Sequence, residues 1–398
     1  MLSNYQRLAN VASKKTKHVL GLMSGTSMDG LDVALCRISG QGVNTSLELM
    51  EFDTIPHNTE YKEKIRTVFT HGNAEAVKLT WLHQFIAEVH AEQIRTALDQ
   101  WNRVPEEIDL IASHGQTVYH NPSARPFDNA RARPITLQLG DGDFIAERTG
   151  IVTVSDFRQK HIAHGGEGAP LAPYGDFLLF SDSGERRMLV NIGGIANFTF
   201  LPQVYGDNPL MSSDTGPGNT LMDAYMQKHF DQPFDRNGEI SRMGNPDPVL
   251  LKVLMDDPFF DQPLPRTTGP ELFNLTYIYT KQTAANRSKL AHEDVMATLA
   301  AFTAKTIYCT IGPYLKGHTS IYFSGGGVHN PLVMKSLQSD LRDHSVYTTE
   351  ALGINPDAKE AIVFAVLANE CLFGRPKSYP ELGIKIPRTS MGKVSFPG

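Results

Sequence analysis

Along this chain, apolar and polar positions fall repeatedly into one plan: a short apolar run, a glycine-rich turn, and a second apolar run. His18 to Met23 predicts a buried strand, Ser24 to Gly30 a turn, and Leu31 to Ile38 a second strand, giving a hairpin with a long glycine- and hydroxyl-rich tip. Met188 to Ile192, Gly193-Gly194 and Ile195 to Leu201 repeat that order, the one hint of internal duplication. Between the hairpins, Leu79, Leu82, Phe85, Ile86 and Val89 share one face of a helix predicted within Ala74 to Trp101. Ile108 to Ser113 predicts a strand ending in His114-Gly115-Gln116-Thr117, and Ile151 to Val154 one ending in Ser155-Asp156-Phe157-Arg158. Gly165 to Pro170 reads as a loop, and Pro233 to Arg266 as irregular or short-helical chain. Asp294 to Leu315 predicts a helix, and Ser320 to Ser324 a strand running into Gly325-Gly326-Gly327. Asn330 stands where it would cap a helix with Pro331 in its first turn. Asp357 and Glu360 have capping-box spacing before the apolar helix Ala361 to Cys371. Strands alternating with helices make the class α/β.

Length turns this pattern into two lobes, since 398 residues exceed one core. The expected division is 1–155 and 156–372, with 373–398 packing back on the first lobe. A net charge of −6 and no basic stripe with interleaved aromatics argue against a nucleic-acid partner. The three cysteines, Cys36, Cys309 and Cys371, are far apart and point to a reducing compartment. No clean apolar run approaches the ~20 residues of a membrane span; the longest is Ala361 to Ala368. No membrane association is expected. The first segment carries Arg7, Lys14, Lys15 and Lys17 without an apolar signal region, and reads as a frayed basic tail or a transit peptide.

The candidate chemistry sits at the turns. Asp214-Thr215-Gly216-Pro217-Gly218-Asn219 reads as an acid on a glycine-proline turn, with Asn219 able to cap a helix from Thr220 to His229. A carboxylate there can face a pocket; alone, it would more often be a structural turn or cap, but three other glycine-rich turns that follow short apolar strands favour the pocket. In Ser24 to Gly30, glycines admit a phosphate, Thr26 and Ser27 add hydroxyls, and Asp29 could hold Mg²⁺ directly or through water. A glycine-serine tip is most often only a tip, and this one lacks the Walker pattern. Gly325-Gly326-Gly327 fails the dinucleotide fingerprint yet could wrap a phosphate or adenosine. His161 and His164 read as loop residues with no metal motif around them. His114 could line a substrate pocket or simply pack. Without a metal array, reactive cysteine or nucleophile elbow, the inventory favours phosphoryl transfer.

Eight runs in order carry a family resemblance: Gly21 to Gly30, Ser113 to Val118, Asp156-Phe157-Arg158, Gly168 to Leu171, Asn191 to Asn197, Asp214 to Asn219, Gly325-Gly326-Gly327 and Lys359-Glu360-Ala361. Together they resemble the anhydro-N-acetylmuramic acid kinases, from Gly21 to about Leu372. The resemblance implies the two-lobed actin-like, sugar-kinase and heat-shock ATPase fold, with a mixed sheet and helices in each lobe around an ATP cleft. It implies a cytoplasmic homodimer that uses ATP and Mg²⁺ and acts on a small anhydrosugar. Water would open the 1,6-anhydro bond while the released 6-oxygen takes the γ-phosphate, giving N-acetylmuramic acid 6-phosphate for cell-wall recycling. Carried onto this chain, Gly25, Thr26, Ser27, Met28, Asp29, Gly30, Leu31 and Asp32 match the ATP-binding segment, with Asp29 the Mg²⁺ residue. Gly193, Gly194, Gly325, Gly326, Gly327 and Asn330 belong to the nucleotide side. Asp214 matches the general base, Arg158 a residue near the reacting phosphate, and Glu360 a residue on the sugar hydroxyls. His114, Gln116, Thr117, Gly216 and Asn219 are the expected sugar-pocket residues. Glu167 and Tyr119 stand where Gln and Trp are usual. The levoglucosan kinases share nearly every motif, and Gly392 to Ser395 looks like theirs, whereas Thr136 to Asp141 looks like the muramic-acid enzymes. A levoglucosan kinase is therefore the alternative. An ATP-driven binding protein of the same fold is a further one, which would need the phosphate turns but not Asp214, Arg158 and Glu360.

Overall fold

The computed structural model describes residues 3–25, 28–69, 74–124, 131–169, 171–182, 184–201, 210–315, 317–374 and 390–398; Thr26, Ser27 and Pro170 lie outside them. Two compact units result. The chain passes from the first to the second between Leu179 and Phe180 and returns between Asp357 and Ala358.

In the first unit, β1 (Thr16–Ser24) and β2 (Gly30–Ser39) form the expected antiparallel hairpin, and β3 (Ser46–Pro56) pairs antiparallel with β2. On the other side of β1 runs parallel β4 (Leu110–Ala124), which also carries antiparallel β5 (Arg133–Leu139) and parallel β6 (Thr153–Ser155). The second unit has β7 (Arg187–Ile192), β8 (Ile195–Leu201) and β9 (Met211–Pro217) as an antiparallel meander. Parallel β10 (Ser320–Ser324) follows beside β7, and parallel β11 (Ser345–Thr348) beside β10. Strand by strand, β3-β2-β1-β4-β6 and β9-β8-β7-β10-β11 have the same order and the same directions. The hairpins seen in the sequence are thus the visible part of a full duplication, and the fold is the actin-like, sugar-kinase and heat-shock ATPase fold. One further strand, β12 (Lys393–Ser395), closes the first sheet antiparallel to β6.

Continuous apolar runs make these strands because helices cover both faces of a largely parallel sheet centre. Leu20, Leu22, Leu31, Val33 and Leu35 pack with Ala87 and Ile94 of the helix Ala76–Gln100. The helix Lys359–Phe373 lies on the opposite side of β1, where a Cβ at Gly21 would overlap the carbonyl oxygen of Ala361. In the second unit Val190, Ile192, Phe198 and Phe200 share a core with Leu299, Phe302 and Ile307 of the helix His292–Ile311.

Several local expectations differ from the structure. The strand from Leu110 does not end at Ser113 but continues through His114 to Ala124, because β5 offers a partner for the added length. Asp214 sits within β9 rather than on a turn. Asp357 does not cap the helix Lys359–Phe373, whose N-cap is Ala358 without a side-chain bond; the Asp357 carboxylate faces His329 instead, at 3.1 Å. The basic first segment is no frayed tail but a helix, Asn4–Ser13, capped by Ser3 and Gln6. His292–Tyr314 has the length and mean hydropathy of a membrane span, although threonines interrupt its apolar run; 72% of its most apolar window is buried, as in a core helix.

At Gly21 the obstacle to a side chain is backbone, which cannot swing aside. Gly21→Ala should therefore cost at least about 1–3 kcal/mol, the range for overpacking a tight core. Gly312→Ala, with open space where the methyl would go, is the control. Thermal unfolding of both checks this: equal melting temperatures would mean that the contact at Gly21 yields easily.

Candidate active site

Arg158 is the second residue of the helix Phe157–Ala163, which starts immediately after Asp156, a residue with left-handed backbone at φ 54°. Its Nε donates to His114 Nε2 at 2.9 Å and its Nη1 to the Gly168 carbonyl at 2.9 Å. His114 Nδ1 lies 2.9 Å from the Gly115 carbonyl, so the ring is neutral, donating through Nδ1 and accepting through Nε2. Burial, and then the Arg158 charge, hold its pKa well below the usual value. Both nitrogens of His114 are thus engaged inside the protein, and its ring packs on Phe364. Burial lowers the Arg158 pKa to about 10, against the opposing pull of Glu360. Glu360, in the first turn of its helix, has its pKa raised by burial, while Lys359 and Arg158 lower it. Lys359 in turn forms a buried ion pair with Asp176 at 3.1 Å. Lys359 entered the sequence reading only within the Lys359-Glu360-Ala361 motif, and Asp176 not at all; an aspartate set in the apolar stretch Leu171 to Phe180 was the available signal. His161 belongs to the helix Phe157–Ala163 rather than to a loop, and its Nδ1 accepts from the Gly168 N–H.

Gln116 is buried, and each of its polar side-chain atoms is engaged within the protein. Oε1 accepts from Ser24 Oγ at 2.6 Å and from Tyr61 Oη at 3.2 Å, and Nε2 donates to the Gly25 carbonyl at 3.2 Å. His57 Nε2 lies 3.0 Å from Ser24 Oγ, and His57 Nδ1 accepts from Gln93 Nε2 at 3.1 Å. The His57 N–H also donates to the Asp29 carbonyl, so one residue holds both described ends of the first turn. Burial lowers the His57 pKa to about 4, which keeps the ring neutral. His57, Tyr61 and Gln93 escaped the sequence reading. The signal was Gln93, a polar residue on the apolar face that carries Ile86 and Ile94. Met28 and Leu31 point into apolar clusters, so only their backbone is available to a phosphate. Asp32 accepts from Thr54 Oγ1, Asp29 is exposed, and Thr117 Oγ1 accepts from Gln138 Nε2.

In the second unit three glycine segments meet. Gly193 accepts from the Asn219 N–H, and Gly194 from those of Gly218 and Thr220. The helix Thr220–His229 begins where expected, but hairpin carbonyls satisfy its first donors. Asn219 makes no side-chain cap, and its Nδ2 reaches the Ile192 carbonyl at 3.5 Å. Gly325 has φ 81°, and a Cβ on Gly327 would collide with Ile192. Asn330 does cap the helix Pro331–Asp340, through Leu332 and Val333. Gly216, at φ 144°, lies against Phe260 and Thr306.

Asp214 stands beside this junction. Its N–H donates to the Arg266 carbonyl at 3.1 Å, and its Oδ2 accepts from the Thr268 N–H at 2.9 Å. Burial, with help from Glu271, raises its pKa to about 6, while Thr268 and Arg266 pull the other way. A half-buried carboxylate poised near neutral pH can hold or release a proton, which is what a general base requires. Neither Arg266 nor Thr268 was legible in the sequence. No group of three or more potential metal-ligating side chains occurs among the described residues.

The family model described as anhydro-N-acetylmuramic acid kinase matches residues 17–396. A protein of that name in Pseudoalteromonas translucida (strain TAC 125) is 47% identical over 404 residues, covering all of both chains. That of Caldanaerobacter subterraneus subsp. tengcongensis is 38% identical, covering 98% of this chain and all of the relative. That of Bacillus thuringiensis subsp. konkukian is 34% identical, covering 96% and 99%.

The raised pKa of Asp214 fixes a sign for stability. A carboxyl whose folded pKa lies above its unfolded value stabilises fully only below the unfolded pKa, and loses that contribution as pH rises through about 6. Asp214→Asn avoids the penalty and keeps an oxygen for Thr268. Its melting temperature should exceed the parent's at pH 8, with the gain shrinking toward pH 4. A loss of stability at pH 8 would show that the charge itself holds the fold.

Proposed function

The chain belongs to the anhydro-N-acetylmuramic acid kinase family, and we propose how its residues carry out that family's reaction. It is an ATP-dependent kinase that opens the 1,6-anhydro bond of anhydro-N-acetylmuramic acid and phosphorylates the 6-oxygen, giving N-acetylmuramic acid 6-phosphate. Asp214 is the general base. It takes a proton from water as the water oxygen bonds to the anomeric carbon, and the bond from that carbon to the 6-oxygen breaks. The freed 6-oxygen attacks the γ-phosphorus, and ADP leaves. The observation that carries this reading is the Asp214 carboxylate, with one oxygen fixed by Thr268 and its pKa raised to about 6. That value suits a base working near neutral pH.

Arg158, held by His114 and Gly168, supplies positive charge to the transferring phosphoryl group. Glu360 orients sugar hydroxyls. Gly25, the backbone of Met28 to Leu31, Gly193, Gly194 and Gly325 to Gly327 receive the nucleotide, because their backbone can approach phosphate where side chains are absent or turned inward. Gln116 and His114 act through their neighbours rather than by touching sugar. Mg²⁺ would sit mainly on substrate phosphates, neutralise their charge, and take Asp29 as its protein carboxylate; a lone exposed carboxylate fits an ion that keeps most of its water. The enzyme acts as a cytoplasmic homodimer in the recycling of wall fragments. Its three cysteines, all free, agree with a reducing compartment.

A coupled ADP-release assay tests the reaction. Asp214→Asn should lower turnover about 10²–10⁴-fold, the usual effect of losing a general base. Turnover near the parent's would remove Asp214 from that role.

The same assay with levoglucosan alongside tests the sugar. A site that hydrogen-bonds N-acetyl and lactyl groups rejects a sugar without them, so kcat/KM should favour the muramic sugar by at least about 10². Equal rates would make the enzyme a general anhydrosugar kinase.

A further inference from the structure

Asp214 lies on β9, at the edge of the second sheet as the described residues form it, so among those residues one side of its backbone has no strand partner. The chain at Arg266 fills that place. Arg266 accepts the Asp214 N–H at its carbonyl, which also accepts from Ser213 Oγ at 3.1 Å, and its own N–H donates to Ser213 Oγ at 2.9 Å. Two residues on, the Thr268 N–H takes Oδ2 of the carboxylate. The Arg266 side chain fixes this segment from the other end. Its Nη1 donates to the carbonyls of Phe259 at 3.0 Å and Phe260 at 2.8 Å, and its Nη2 to Thr310 Oγ1 at 3.1 Å. Its guanidinium lies 4.6 Å from the centre of the Phe259 ring. Arg266 is buried, with only 8% of its surface exposed.

We propose that Arg266 is the positioning residue of the catalytic base: it anchors the segment 266–268 to the helix His292–Ile311 and the Phe259–Phe260 turn, and so fixes the Asp214 carboxylate with one oxygen bound and the other presented to water. A lysine could carry the charge but not the fork that reaches two carbonyls and a hydroxyl at once. The inference rests on Asp214 being the base. The charged groups that face the carboxylate are Glu271, which raises its pKa, and Arg266, which lowers it; Asp261 acts on Arg266.

The test is the pH profile of kcat/KM with anhydrosugar for the parent, Arg266→Met and Arg266→Lys, with ATP affinity measured by calorimetry. The parent should show an acid limb near pH 6. Arg266→Met should lower kcat about tenfold or more, a typical cost of misplacing a catalytic group, leave ATP affinity unchanged, and move the limb to higher pH. Arg266→Lys should lose kcat while its limb stays closer to the parent's. Thr310→Val, which removes one anchor, should give a smaller loss of kcat and carries the test if Arg266→Met does not fold. Losses of kcat that merely track the folded fraction, with the limb unmoved in Arg266→Met, or an unchanged kcat in Arg266→Lys and Thr310→Val, would overturn the proposal. Parent-like turnover in Asp214→Asn would instead remove the base assignment beneath it.

Discussion

Backbone pressed directly against backbone is the constraint on which this structure turns. At Gly21 the strand β1 and the helix Lys359–Phe373 approach so closely that a single methyl group would strike the Ala361 carbonyl. The residue before Ala361 is Glu360, so the same contact that seats the helix sets where that carboxylate begins. The second unit repeats the device at Gly218, against the Gly193 carbonyl, and has a relative of it at Gly327, against the Ile192 side chain. In each case glycine serves less for its conformational freedom than for its missing Cβ. At Gly218 the gap lets the helix Thr220–His229 start against the tip of the β7–β8 hairpin.

Charge is managed in the two units by different means. Around Arg158 the groups compensate one another, with Glu360 near the guanidinium and Lys359 beside Asp176. Burial still raises the Glu360 pKa and lowers that of Arg158 to about 10, and it keeps His114 neutral. At Asp214 compensation is incomplete: burial and Glu271 outweigh Thr268 and Arg266. A fully paired carboxylate would be a poor base, whereas one left short of partners gains stabilisation on taking a proton. Burial therefore makes charge costly at both sites, but Arg158 and Glu360 oppose that cost in each other, whereas at Asp214 the neighbouring Glu271 adds to it.

Much of this was legible in the sequence where a local pattern reports a local structure. The hairpins, the helix Thr220–His229 and the Asn330 cap all obey rules that span a few residues. Asp214, Arg158 and Glu360 were reached through ordered motifs, since no single turn identified them. What escaped were residues whose roles depend on distant partners. His57 and Gln93 look ordinary until Ser24 is brought beside them. Gln116 suggests a ligand contact until Tyr61, Ser24 and Gly25 are seen to occupy it. Asn219 was a plausible cap, but the Gly193 and Gly194 carbonyls had already satisfied the donors it would have taken. Capping rules assume an open helix end, and a packed hairpin tip closes it.

The return of the chain at Ala358 has a consequence for the order of events during synthesis. The described residues of the second unit all lie within Phe180–Asp357 and have emerged from the ribosome before the chain returns to the first. The first unit begins earlier yet lacks the helix that covers β1, and β12 on its β6 edge, until the far end of the sequence appears. For most of translation one face and one edge of that sheet are therefore uncovered, the condition under which nascent sheets mispair. The half of the molecule that starts first finishes last, and its exposed interval lasts as long as the ribosome takes to make the other half.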